Sequence, residues 1–230
     1  MQTIGQKVKK IKDELALGNG YGERVFLVAA TKMQTAESIN EAIAAGVDAV
    51  AENKPQEFRD KHPLLQSCPR HFIGHLQTNK IKYLVGKIDL YHSCDRDELA
   101  NELALQSIKR GIVSNVLLQI NIGKEESKSG YPLEEAKEVF LRISAMDGLC
   151  VQGFMAMLPK SEDTAFLAML VDEMRALFEW AKVQSSHVRY LSMGMSGDYK
   201  LCIEHGSNMI RVGSTIFGER NYGGQADGKA

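Results

Sequence analysis

The chain has 230 residues, 44% of them hydrophobic and 25% charged, which suits one substantial core and lies close to the roughly 250 residues typical of a (β/α)8 barrel. A formal net charge of -1, with Lys and Arg scattered among acids, offers no basic field for a polyanion and argues against nucleic acid as a partner. The four cysteines, Cys68, Cys94, Cys150 and Cys202, form no C-x-x-C pair, which argues against zinc and a disulfide scaffold and predicts reduced core thiols.

The polar opening from Met1 to Glu14 lacks the apolar stretch of a signal peptide or membrane span, so a cytoplasmic protein without a membrane partner is expected. Ile4, Val8, Ile11 and Leu15 recur at helical spacing and predict an amphipathic helix ending near Gly18-Asn19-Gly20, with Lys7, Lys10 and Lys12 on a solvated face. The run Val25 to Ala30 is almost purely apolar and reads as a strand buried on both faces. A helix from Ala36 to Ala45, a strand at Ala49 to Ala51, a helix from Gln56 to Leu65 and a strand at His71 to Ile73 follow.

Further strands fit Ile88 to Tyr91, Asn115 to Ile120, Cys150 to Phe154, Tyr190-Leu191 and Met209 to Val212. Helices fit Arg96 to Arg110, Leu133 to Ala145, Thr164 to Val183 and Tyr199 to His205. About eight strands in βα alternation, with no Gly/Pro/Ser-rich linker, predict a single (β/α)8 TIM barrel over residues 1–220 with an extra N-terminal helix. An open doubly wound sheet is the alternative, weakened by the lack of G-x-G-x-x-G after the first strand. Residues 221–230 are polar and Gly-rich and read as a disordered tail.

In such a barrel the reactive residues sit where strands end. Lys32 closely follows the first apolar run, at the rim; partly desolvated, its amine can form a Schiff base with an aldehyde, whereas an isolated lysine there reads first as a solvated loop residue. The segments Ser192 to Asp198 and Val212 to Thr215 follow the last two strands, where these barrels often bind phosphate with free backbone amides; either one alone would be an ordinary turn. Arg211 points across the mouth or pairs at the surface with Glu204 or Glu219. Asn53 offers an amide to a ligand or caps the next helix. His71, His75 and Gln77 surround a strand end and are assigned no catalytic role.

These residues fall in blocks that resemble the pyridoxal 5'-phosphate (PLP) homeostasis proteins, which share their barrel with the N-terminal domain of alanine racemase. The likeness spans almost the whole chain: Ala29-Ala30-Thr31-Lys32, Glu52-Asn53 with Gln56-Glu57, His71 to Lys80, His92 to Asp95, Val116 to Gly130, Gly153 to Ala156 and, most specifically, Leu191 to Arg220. It implies a monomeric or weakly associating barrel without dependable enzymatic activity, which buffers PLP or delivers it to apo-enzymes and influences amino-acid and keto-acid balance. It further implies Lys32 as the Schiff-base lysine, Asn53 as a ring contact, Arg211 as partner of the pyridine nitrogen, and Ser196, Gly213 and Ser214 as phosphate ligands. A permanently protonated arginine at that nitrogen would leave it unprotonated and the ring a poor electron sink.

The chain departs from the family pattern with Thr31 for serine, Met33-Gln34-Thr35 for T-K-P, Ala51 for glycine and Lys54-Pro55 for tyrosine-valine. These changes bear on the loop beside the ligand rather than on the lysine itself. Three rival functions follow from the residues. An amino-acid racemase needs a base on each face of its substrate, and only weak activity at most is expected here. A Schiff-base aldolase acting on a sugar phosphate would purify colourless, and a non-covalent interaction module would be indifferent to Lys32 and both loops.

Overall fold

The computed structural model describes residues 2–125 and 128–218, so the expected tail at 221–230 and the alternative partner Glu219 lie outside the described residues. The strands are β1 (Phe26–Ala30), β2 (Ala49–Glu52), β3 (Arg70–Phe72), β4 (Leu90–Cys94), β5 (Ser114–Ile120), β6 (Leu149–Ala156), β7 (Tyr190–Ser192) and β8 (Met209–Val212). They form a closed barrel in sequence order, and every pairing, including β1 with β8, is parallel. The open-sheet alternative is therefore excluded.

Between the strands run α2 (Ala36–Ala44), α3 (Pro55–Lys61), α4 (Asp97–Lys109), α5 (Ala136–Ser144), α6 (Thr164–Gln184) and α7 (Tyr199–Glu204), with α1 (Ile4–Leu15) before β1 and α8 (Ser214–Phe217) after β8. The stretch expected as one helix to Leu65 ends instead at Lys61 and tightens into a 3-10 turn over His62–Leu64, where Pro63 has no N–H to continue the ladder. A second 3-10 segment, Thr78–Tyr83, connects β3 to β4.

Helix α1 starts from a capping box: Thr3 Oγ1 accepts from the Gln6 N–H (3.2 Å) while Gln6 Oε1 accepts from the Thr3 N–H (3.0 Å). Its apolar stripe, Val8, Ile11 and Leu15, is buried with residues of α2, β1 and β8. Lys12 leaves the solvated face expected for it. Its ammonium donates to the Gly46 carbonyl (2.6 Å) beyond the end of α2, where a cation offsets the negative end of the helix.

Along each strand the side chains alternate. Leu27 and Ala29 face the helices, whereas Val28, Ala49, Ala51, Leu90, Leu117, Met155 and Met209 fill the barrel interior. The thiols are all free; Cys94 and Cys202 are buried, but Cys68 and Cys150 are only half-buried, which corrects the expectation that all four are core residues. Burial raises the Cys94 thiol to about 12, so it is inert at neutral pH.

Arg175 on α6 ties the N-terminal loop to the barrel. Its guanidinium donates to both Glu23 oxygens (2.6 and 3.0 Å), to the Gly206 carbonyl (2.9 Å) and to Glu179, and it lies 3.9 Å from the Tyr21 ring centroid. Burial would raise the Glu23 pKa, but hydrogen bonds from Arg175 and Asn19 and the charges of Arg175 and Lys182 outweigh it and lower it to about 2 from 4.5. A depressed folded-state pKa stabilises the fold above the unfolded value, and that stabilisation drains away as pH falls through the folded one. Glu23→Gln is thus expected to be less stable than wild type near neutral pH, with the gap closing as pH falls from about 4.5 to about 2. Urea titrations at stepped pH check this, and a gap independent of pH would contradict it.

Candidate functional site

The C-terminal ends of β7, β8, β1 and β2 are neighbours around the closed barrel, and all of the sequence-predicted site residues lie there. Register places Arg211 beside Val28 and Val212 beside Ala29, so Gly213 comes up beside the end of β1. A Cβ built on Gly213 would lie 3.4 Å from the Ala30 carbonyl oxygen. Lys32 stands two residues past Ala30, in the turn that leaves the C-terminal end of β1, and is half-buried.

The loop carrying Lys32 is clasped from the β2 side. The Thr31 hydroxyl lies 2.6 Å from Glu52 Oε1 and 3.0 Å from the Ala51 carbonyl, and the Thr31 N–H donates to that same carbonyl (2.9 Å). Lys61 on α3 then donates to the Thr31 carbonyl (3.0 Å), Glu52 Oε1 (2.8 Å) and Glu57 Oε2 (2.7 Å). Glu57 also accepts from the N–H of Met33 (2.8 Å), whose φ of 63° is in the left-handed region and would otherwise be costly for a side chain. Burial works against the Glu57 carboxylate, but Lys61 and the Met33 amide hold its pKa below the usual value. None of Glu52, Glu57 or Lys61 was singled out as positioning Lys32; Glu52 and Glu57 stood out only within the family blocks, and the clasp depends on how β2 and α3 pack beside β1.

Asn53 follows β2, and its capping alternative is not realised: Lys54 is the N-cap of α3 and makes no side-chain cap bond. The Asn53 amide has no hydrogen-bond partner among the described residues and is half-buried. Its loop is packed directly on β3, since a Cβ on Gly74 would fall 2.0 Å from the Asn53 carbonyl oxygen. Only glycine permits that approach.

Arg211 is buried, with 4% of its surface exposed, so the alternative of a surface pairing with Glu204 is not formed. Nη1 donates to the Ser192 carbonyl (2.7 Å) and hydroxyl (2.6 Å), and Nη2 donates to the Ala156 carbonyl (3.0 Å). Nε–H and the second Nη2–H have no partner among the described residues. Burial lowers the guanidinium pKa to about 10, which still leaves it charged at neutral pH. A buried cation with donors to spare and no carboxylate hydrogen-bonded to it is half of a binding interaction.

The two loops after β7 and β8 are joined by the Thr215 N–H, which donates to Ser196 Oγ (3.3 Å). Gly194 adopts φ 98° and passes so close to α7 that a Cβ would sit 2.8 Å from Tyr199 Cα; its carbonyl accepts from the Arg211 N–H (2.9 Å). Asp198 Oδ1 accepts from the Met195 N–H (2.6 Å) and closes the turn. The backbone N–H groups of Ser196, Gly197, Gly213 and Ser214 are left without partners among the described residues. A Cβ on Gly197 would meet nothing within 4 Å, so packing does not require glycine there and the space is open to an anion. Amine, buried guanidinium, free amide and free backbone donors therefore converge on one mouth, suited to a phosphorylated aldehyde with an acceptor atom.

The opposite mouth holds a cavity of about 370 Å³ lined by Arg24, Phe26, Asp48, His71, Arg189 and Tyr190 among others, and it contains none of the predicted site residues. Among the described residues no group of three or more His, Cys, Asp or Glu could hold a metal ion, and no helix is long and apolar enough to cross a membrane.

This is a barrel of the alanine racemase N-terminal-domain type: the profile described as alanine racemase, N-terminal domain, matches residues 18–221, and the chain belongs to that family. Within it the chain falls among the pyridoxal phosphate homeostasis proteins. It is 38% identical over 225 residues to the pyridoxal phosphate homeostasis protein of Aquifex aeolicus, covering 96% of this chain and 97% of that one. The protein of that name from Escherichia coli is 34% identical over 231 residues, covering 96% and 99%. PipY of Synechococcus elongatus, solved with PLP bound, superposes with a TM-score of 0.82 at 28% identity, covering 94% of this chain and 100% of that one.

Proposed function

We propose that this chain binds PLP, holds it covalently through Lys32, and serves PLP homeostasis by buffering the cofactor and delivering it to apo-enzymes as a cytoplasmic monomer. The observation that carries this reading is Arg211: a buried, charged guanidinium with two unpaired N–H groups, one strand away from a half-buried lysine and beside two loops of unengaged amides. The name of the relatives and the PLP-bound PipY support it.

When bound, PLP supplies an aldehyde that condenses with an amine and a ring that can accept electrons. Lys32 provides the amine, and the Thr31–Glu52–Lys61 clasp keeps its loop in place. Ser196, Gly213 and Ser214 would take the phosphate through backbone amides and hydroxyls, and Asn53 would reach the ring with its free amide. Arg211, which can only donate, would occupy the ring nitrogen without protonating it. That arrangement suppresses carbanion chemistry and favours storage over turnover, so racemisation is weak at most.

The reading is tested by loading purified protein with PLP, removing the excess and adding an apo-aminotransferase. The loaded protein should show a near-ultraviolet or visible band that borohydride bleaches, and the acceptor should regain activity as the band falls, with D-alanine formation near background. A colourless protein that cannot be loaded would overturn the reading in favour of an aldolase or interaction module.

A further inference from the structure

Behind Arg211 a line of buried polar side chains crosses the barrel interior. Ser192 Oγ, which accepts from Arg211 Nη1 (2.6 Å), lies 3.1 Å from His92 Nδ1, and His92 Nε2 lies 3.0 Å from His71 Nδ1. Ser192 and His92 are fully buried, and His71 lines the cavity at the N-terminal mouth. The line joins the two ends of the barrel.

Its sense is dictated by its first member. Guanidinium can only donate, so Ser192 Oγ accepts there and has one proton left; in a fully buried position the available acceptor is His92 Nδ1. His92 must then carry its proton on Nε2 and donate it to His71 Nδ1, which puts the His71 proton on Nε2, facing the cavity. Both rings are neutral. Burial lowers His71 to about 4, and burial, reinforced by the nearby Arg211 charge, holds His92 well below its ordinary value.

We propose that Ser192, His92 and His71 form a one-directional, uncharged hydrogen-bond chain that positions the Arg211 guanidinium, fixing which of its N–H groups are presented to the ligand. The proposal rests on the reading of Arg211 as a ligand contact. Three acceptors hold Nη1 and Nη2, two of them from Ser192, and the hydroxyl keeps its orientation only while His92 takes its proton. These are positioning residues. A carboxylate in the place of Ser192 would hold the arginine more tightly but would neutralise it; a neutral chain keeps the charge available.

The test begins on the ligand-free protein. Long-range nitrogen–proton NMR should show His92 and His71 as Nε2–H tautomers, and exchange of the Arg211 Nη1 protons with water should quicken about tenfold or more in Ser192→Ala and His92→Leu, given what a hydrogen bond to a charged group contributes. His92→Asn, whose carbonyl can accept where Nδ1 does, should restore slow exchange. With PLP added, the same variants should keep the covalent link to Lys32 but bind about tenfold more weakly with a shifted absorption band. An Nδ1–H tautomer at His92, or unchanged Arg211 exchange in both Ser192→Ala and His92→Leu, would overturn the chain whether or not the protein loads PLP. Quickened exchange with unaltered PLP affinity and spectrum would overturn its bearing on the ligand, while failure of wild type to load would fall on the functional reading instead.

Discussion

Lys32→Ala is expected to abolish the borohydride-sensitive band and weaken PLP binding on the order of 100-fold or more, leaving only what the phosphate loops and Arg211 hold without a covalent bond. The neighbouring Lys61 is not a substitute. Its ammonium is committed to Glu52, Glu57 and the Thr31 carbonyl, and freeing it would undo the loop that carries position 32. The variant should therefore fold like wild type, since Lys32 forms no ion pair among the described residues. Equilibrium dialysis against PLP, with circular dichroism to confirm the fold, measures both; a variant that binds as tightly as wild type would remove Lys32 from the account.

The second large effect lies far from the ligand. Arg175→Met is expected to cost about 3 kcal/mol, because it strips a buried guanidinium from Glu23, Glu179 and the Gly206 carbonyl at once. For a chain of this length that corresponds to a fall in melting temperature of about 6–12 °C. The Tyr21 ring, stacked on the guanidinium, loses its partner too, so the loop between α1 and β1 should loosen first. Urea denaturation read by linear extrapolation gives the number. A loss below about 0.5 kcal/mol would mean that solvent replaces the network at no cost, as it does for surface pairs.

The barrel was legible because its strands are buried on both faces and most read as apolar runs, as at β1. The reading failed where polar residues face inward. β4 was expected at Ile88 to Tyr91 but runs Leu90–Cys94, since His92 and Ser93 inside it read as the end of a strand. That misreading also hid the polar line, because His92 and Ser192 are fully buried in positions where sequence alone suggests solvent. The 3-10 segment Thr78–Tyr83 was missed for a different reason: its single buried apolar residue gives no helical period to detect.

At the site, Lys32, Arg211 and the two loops were legible from their places just beyond apolar runs, a rule of barrel geometry. Which competing reading applied was not. Arg211 turned inward rather than pairing with Glu204 because the carbonyls of Ala156 and Ser192 leave acceptors inside the barrel, and those depend on the pairing of distant strands. Asn53 was released from capping because Lys54 and Pro55 begin the helix one residue later.

The most direct test of the central claim is to reduce PLP-loaded wild-type protein with borohydride, digest it and locate the pyridoxyl group by peptide mass spectrometry. The account predicts a single adduct, on Lys32. An adduct on another lysine, or none, would contradict it.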